Sequence, residues 1–252
     1  MPPKHKIQVI TRAANVLRSL EDEANGLTLS QIAERVGLAR STVQRIVDAL
    51  REEQLLIAAS PTSGVRLGPA IIRLAISASA NFDHVTRPLI ARLSQAVGET
   101  VDLSTLKGQS AVFTDQVQGR HRLRTVSGVG ETFPLYCTAN GKAILSVLPD
   151  KQVERLLSAP MPKLTPNTII KRAELLKAIE SCRKTGIAVD DEEHTEGISA
   201  LGTGFIDPLG RAVALSIPVP TTRFKRLRHG LSTQLLAARD QIMKALMSQA
   251  RT

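Results

Sequence analysis

The feature that most constrains this chain is the spacing of small and aliphatic residues between Leu29 and Leu50. Leu29, Ile32, Ala33 and Val36 fall on one face of a helix, and Val43, Ile46, Val47 and Leu50 on one face of the next. Gly37 stands between them, where a left-handed residue stops a helix. Ala33 is small enough for two helices to cross closely, Gly37 permits the tight turn, and Val43 anchors the second helix on the first. Thr28 and Gln31 have capping-box spacing ahead of the first helix, with Ser30 as a rival cap. A further helix is expected over 7–20, apolar at Ile7, Ile10, Ala14, Leu17 and Leu20, and ended by the acidic residues 21–23 and Gly26. This arithmetic is that of a helix-turn-helix, which leaves the polar face of its second helix free for a major groove.

That polar face reads Arg40, Ser41, Gln44, Arg45 and Asp48. Arg45 and Gln44 suit bidentate contact with guanine and adenine edges. Ser41 and Thr42, at the helix start, suit phosphate. An ordinary helical hairpin with a solvated face would look similar, so the residues after Arg51 decide between the two. Residues 55–59 read as a short strand, 60–64 as a turn and 65–67 as the return strand. A hairpin directly after a recognition helix is the wing of a winged helix, with Ser63 and Arg66 placed for the DNA backbone or minor groove. Pro69 then opens a helix over 70–80 that is apolar all round. Such a helix must be buried, against the next domain or a second subunit.

The chain has 252 residues, enough for two unequal domains. The expected division is 1–68 for the DNA-binding domain, 69–82 for a linker helix and 83–252 for a second domain. With no Trp and one Tyr, stacking of aromatic side chains on bases is a poor mechanism. The net charge of +10 fits a polyanionic partner, yet residues 211–252 hold eight basic and one acidic side chain, so most of the excess lies outside the expected DNA reader. Two distant cysteines point to a reducing compartment. The polar start and the lack of a long apolar run give the expectation of a cytoplasmic protein with no membrane partner.

Beyond residue 82 the pattern alternates. Helices are expected over 82–97, 138–147, 151–157, 172–185 and 230–248, and strands over 100–106, 110–117, 122–126, 187–189, 200–206 and 211–219. The mixture predicts an α+β domain, one antiparallel sheet flanked by helices.

Taken together, these segments give a chain that resembles the IclR family of bacterial regulators. The resemblance lies in 29–33 (LSQIA) and 37–45 (GLARSTVQR), then in 139–145 (ANGKAIL), 186–193 (GIAVDDEE), 196–198 (EGI), 207–210 (DPLG) and 214–216 (ALS). It implies an N-terminal winged helix-turn-helix and a C-terminal GAF-like effector domain. It also implies a homodimer or homotetramer on a palindromic double-stranded operator, and a small organic acid or aromatic catabolite as effector. By the same resemblance the effector would lie against Phe133, Tyr136, Cys137, Ala139, Asn140, Asp190, Ile198, Ala200 and Ser216. Two departures stand out: Ala200 where the family often has Cys, and Pro218 where a second small polar residue is common. Both remove groups that hold a small carboxylate.

Other readings are weaker. Asp190, Asp191, Glu192, Glu193 and His194 lack a second His or Cys at ligand spacing, so no metal is expected, and no cofactor. The Gly-x-Gly pairs at 128–130 and 202–204 lack the frame of a dinucleotide site. A redox role for Cys137 requires a lowered pKa. A hydrolase or transferase using Cys137 or Ser216 with His194 as base lacks a nucleophile elbow. The third alternative is a protein-interaction module. The expected function is a ligand-responsive repressor, not an enzyme.

Overall fold

The computed structural model describes residues 7–249 apart from 22, 24, 60–63 and 126, and apart from the side chains of 76–81 and 249. The chain divides into two compact units between Asn81 and Phe82. Among the described residues no helix is long and apolar enough to cross a membrane.

In the first unit, α1 (Gln8–Arg18), α2 (Leu29–Val36) and α3 (Arg40–Glu52) close around Val16, Leu20, Ile32, Val43, Ile46, Val47 and Leu50. The capping box forms: Gln31 N–H donates to Thr28 Oγ1, and Thr28 N–H donates to Gln31 Oε1. Gly37 ends α2 in the left-handed conformation, at φ 66°. β1 (Leu56–Ala58) and β2 (Val65–Leu67) pair antiparallel, and a bridge between Leu27 and Val65 ties the hairpin to the segment before α2. This is a winged helix-turn-helix. Ser63 lies outside the described residues.

α4 (Pro69–Val97) is one helix of 29 residues where the sequence suggested two. Within the first unit, the described side chains at its start are only partly buried. Ala70 packs against the α3–β1 connection, but Ile72 and Leu74 are 63% and 62% exposed. A three-helix unit with one hairpin is too small to surround a helix on all sides.

The second unit is an antiparallel six-stranded sheet with helices on both faces. Its strands are β3 (Val101–Lys107), β4 (Ser110–Val117), β5 (Thr132–Pro134), β6 (Ala188–Asp191), β7 (Ile198–Ile206) and β8 (Ala212–Pro220), in the order β5-β4-β3-β8-β7-β6. Side chains alternate between the faces. Val101 and Leu103 of β3, Leu201 and Phe205 of β7, and Val213, Leu215, Ile217 and Val219 of β8 pack on Phe82, Ile90 and Leu93 of α4 and on the long helix α8 (Thr221–Gln249). The opposite face is small or polar: Asp102 and Ser104, Ala200, Gly202 and Gly204, then Ala212, Ala214 and Ser216. On it lies α5 (Ala139–Ser146), backed by α6 (Asp150–Leu156) and α7 (Arg172–Thr185). The glycines permit this approach. A Cβ on Gly202 would sit 2.5 Å from Ala139 O, and one on Gly204 2.2 Å from Ala143 O.

Two sequence expectations fail here. Residues 122–125 form no strand, because their carbonyls are taken by side chains: Arg223 Nη2 donates to Leu123 O at 2.7 Å and Thr100 Oγ1 to Thr125 O at 2.9 Å. The edge strand is β5 instead. The last helix begins at Thr221 rather than near Gly230, for Phe224, Leu231 and Leu235 continue one buried stripe through the glycine. Arg223, paired with buried Glu99 at 2.6 and 2.8 Å, fastens its first turn.

Glycine substitutions should separate these two situations. Gly204→Ala overpacks the α5 contact and is expected to cost roughly 1–3 kcal/mol. Gly230→Ala, exposed and with open space around the new methyl, is expected to gain about 0.5–1 kcal/mol. Urea denaturation of the two variants checks both signs.

Candidate functional site

A cavity of about 160 Å³ opens where the small-residue face of the sheet runs past the start of α5. Its floor is the sheet, with Asp102 from β3, Ser216 and Pro218 from β8, and Ile198 and Ala200 from β7. One wall is the start of α5: Thr138, Ala139 and Asn140. Another carries the rings of Phe113 and Phe133, stacked with centroids 4.6 Å apart, and the His194 ring tilted against Phe133 at 5.2 Å. Thr138 caps α5, its Oγ1 accepting from Gly141 N–H at 3.1 Å. Gly141 is required there, since a Cβ would meet the Leu135 backbone at 2.5 Å.

The remaining wall is the turn after β6. Asp190 Oδ1 accepts from Glu193 N–H at 2.7 Å and faces the cavity. Glu193, three residues on, turns the other way and pairs with Lys142 of α5. Both side chains are buried, Lys142 at 2% exposure and Glu193 at 5%, and Glu193 Oε2 has no hydrogen-bond partner among the described residues. Thr165 and Thr168 hydroxyls donate to Glu193 O at 3.2 and 2.6 Å. The acidic run that looks like a solvated loop in sequence is therefore half buried and held at both ends.

Burial dominates the electrostatics. It raises Asp190 to about 7 against the lowering effect of its backbone hydrogen bonds and of Lys142. It raises Asp102 to about 7 as well, although Gln116 and Ser127 hydrogen-bond to it. His194 is pushed down by burial, which favours a neutral ring.

The residues singled out from the sequence do not all meet at this cavity. Phe133, Ala139, Asn140, Asp190, Ile198, Ala200 and Ser216 line it; Tyr136 and Cys137 do not. Tyr136 points to the far side, where its hydroxyl donates to Pro162 O at 2.7 Å beside a separate groove under the 159–164 loop. Cys137 is wholly buried in the cluster beneath α5, and burial pushes its thiol up to about 12. That removes the thiolate that a redox switch or a nucleophile needs. Sequence reading missed Asp102, Phe113, Thr125, Ser127 and His194. Asp102 carried a signal: a carboxylate between Val101 and Leu103, in a strand buried on both faces.

In the first unit, Arg40, Ser41, Arg45 and Arg66 are exposed, and Thr42 and Gln44 half exposed. The polar side of α3 is split. Gln44 Nε2 donates to both Asp48 oxygens, at 2.8 and 2.9 Å. Arg45 instead lines a shallow groove with Thr42, Ala49 and, from α1, Val9 and Arg12.

Comparison with known families settles the lineage. The IclR helix-turn-helix domain matches residues 9–57, and the bacterial transcriptional regulator IclR C-terminal domain matches residues 75–244. The chain belongs to the IclR family. Among IclR relatives, the HTH-type transcriptional regulator Rv1719 of Mycobacterium tuberculosis is 46% identical over 92% of this chain and 89% of its own length. The HTH-type transcriptional regulator TtgV of Pseudomonas putida is 36% identical, over 95% of this chain and 92% of its own. A crystal structure of an IclR homolog of Microbacterium hydrocarbonoxydans, complexed with 4-hydroxybenzoate, shares the fold: TM-score 0.63 at 21% identity, covering 95% of this chain and 99% of that one. Rv1719 and TtgV are transcriptional regulators.

The raised carboxyls of this IclR C-terminal domain have a consequence for stability. Above its ordinary pKa an exposed Asp in the unfolded chain is charged, whereas buried Asp102 keeps its proton up to about 7. The native state therefore binds more protons between about pH 4 and 7, and stability falls as pH rises through that window. Asp102→Asn removes this loss. The difference in Tm between variant and wild type is expected to move in the variant's favour from about pH 5 to about pH 8, measured by calorimetry.

Proposed function

We propose that this IclR-family chain is a ligand-responsive repressor: it binds a palindromic operator as a homodimer or dimer of dimers, and a small organic acid or aromatic compound in the cavity changes its affinity for that DNA. The observation that carries the reading is the division of α3. Val43, Ile46, Val47 and Leu50 are buried, while Arg40, Ser41 and Arg45 stand in solvent at the end of a helix-turn-helix. Such side chains have no packing role and match what base edges and phosphates require.

Arg40, Gln44 and Arg45 read bases in this account, Ser41 and Thr42 bind phosphate, and Arg66 reaches DNA from the wing. Gln44 gives up its bonds to Asp48 when it meets an adenine. Self-association is supported by exposed apolar side chains in the first unit. Ile7, Val9, Ile10, Ile72 and Leu74 are all more than half exposed, a set more usual at an interface than on a free surface. The effector acts by favouring one of two conformers with different affinity for the operator. The small-molecule role is supported by the cavity itself and by the homolog of the same fold that holds 4-hydroxybenzoate.

A gel shift of the full chain on its own upstream DNA, against random competitor and with a panel of aromatic compounds and organic acids, tests the reading. A specific shift altered by a panel member is expected; absence of a specific shift from folded protein would contradict it. Arg45→Ala is expected to reduce discrimination between operator and random DNA by roughly 1–3 kcal/mol. Equal loss on both DNAs would place Arg45 on phosphate.

A further inference from the structure

Two carboxyl groups face the cavity, and they come from different elements. Asp190 arrives from β6, already committed to the backbone of its own turn. Asp102 arrives from the start of β3, paired in register with Ser216 of β8, and accepts from Gln116 Nε2 at 2.7 Å. It is 1% exposed. Among the described residues, no lysine or arginine lines the cavity. Lys142, buried in the helix beside it, is taken by Glu193. The start of α5 supplies only about half a positive charge.

This balance is hostile to an anion. A bound carboxylate would add a third acidic group to a space of about 160 Å³ with no cation among its described lining residues to meet it, and unpaired buried charge is costly. A neutral hydroxyl faces the opposite situation. It can donate to an Asp102 or Asp190 oxygen, and hydrogen bonds to ionised acceptors are the stronger kind. The pair Asp102 and Ser216 offers such a hydroxyl an acceptor and a second hydroxyl side by side. The apolar requirement comes from the stacked Phe113 and Phe133 with Ile198, Ala200 and Pro218. In size the cavity matches an apolar site of about 150 Å³ that admits benzene.

We infer that Asp102 sets the chemical class of the effector: the cavity takes an uncharged single-ring aromatic that carries a hydrogen-bond donor, a phenol or a benzylic alcohol, and rejects the corresponding carboxylate. This rests on the reading of the cavity as the effector site and narrows it. Burial supports the assignment, since an Asp102 held near 7 is partly protonated at neutral pH and can accept from a hydroxyl or donate to it.

The test is calorimetric titration of the full-length protein with benzyl alcohol, benzoate and benzylamine. Wild type is expected to bind benzyl alcohol about tenfold or more tighter than benzoate, with benzylamine as the probe for whether the two carboxyls take a cation instead. Asp102→Asn, nearly isosteric and still able to meet Gln116, is expected to shrink the preference over benzoate by about tenfold. Benzoate or benzylammonium binding as tightly as the alcohol overturns the inference and leaves the cavity standing as an effector site. An unchanged ratio in Asp102→Asn overturns the role of Asp102. Binding of none of the probes overturns the effector reading together with the inference. The wild-type ratios decide on their own, so a variant that fails to fold does not remove the test.

Discussion

The close approach of α5 to the sheet is the contact on which the rest of the larger unit depends. Two glycines of β7 let the backbone of α5 lie directly on the strands, with no room for a single methyl between Gly204 and Ala143. The whole site depends on that height. The helix starts low enough for Asn140 to reach Ser104 at 3.4 Å, and for Lys142 to reach back to Glu193 in the turn after β6. The ion pair is buried, and such pairs contribute little net stability against an apolar alternative. Its value here is positional: it fixes the turn that aims Asp190 into the cavity while Glu193 points away. The face that accepts α5 must be built of small residues, and beyond the start of α5 the same small residues leave a space. The cavity is the remainder of a packing solution rather than a feature added to it.

The sheet's two faces show how one alternation serves two purposes. Along β8, Val213, Leu215, Ile217 and Val219 supply the large side chains that α8 and the end of α4 cover. The interleaved Ala212, Ala214, Ser216 and Pro218 grade from tight helix contact to cavity floor. Asp102 is the one carboxylate of β3, buried between Val101 and Leu103. A carboxyl buried to that degree raises its pKa and lowers stability near neutrality, a cost that packing alone does not require.

The smaller unit was legible because its punctuation is local. The Thr28–Gln31 box, Gly37 and the alternation of β1 and β2 are each decided within four or five residues, and tertiary packing agrees with them. The sheet of the larger unit was legible for the same reason, through hairpin turns at Gly108 and Gly210. What escaped depends on distant partners. Residues 122–125 have strand-like composition, but their carbonyls go to Thr100 and Arg223, one on either side in sequence. The start of α8 escaped because Gly230 resembles a boundary, while the buried stripe runs through it. Of the cavity, the half formed by the family's α5 and β6 motifs could be foreseen. Asp102 carried only the anomaly of a carboxylate between Val101 and Leu103, and Phe113 carried none, since nothing local indicates that β4 brings it to the cavity. Tyr136 and Cys137 sit in the same short segment as true lining residues and face the opposite core.

The central claim is that one protein holds an operator through α3 and a small aromatic through the cavity, and that the two binding events are coupled. Thermodynamic linkage gives this claim a strict form. With an effector from the panel in hand, fluorescence anisotropy would give operator affinity with and without saturating effector, and calorimetry would give effector affinity with and without saturating operator. The account predicts that the two ratios are equal and differ from one. Ratios of one in both directions, with both ligands bound, would contradict it.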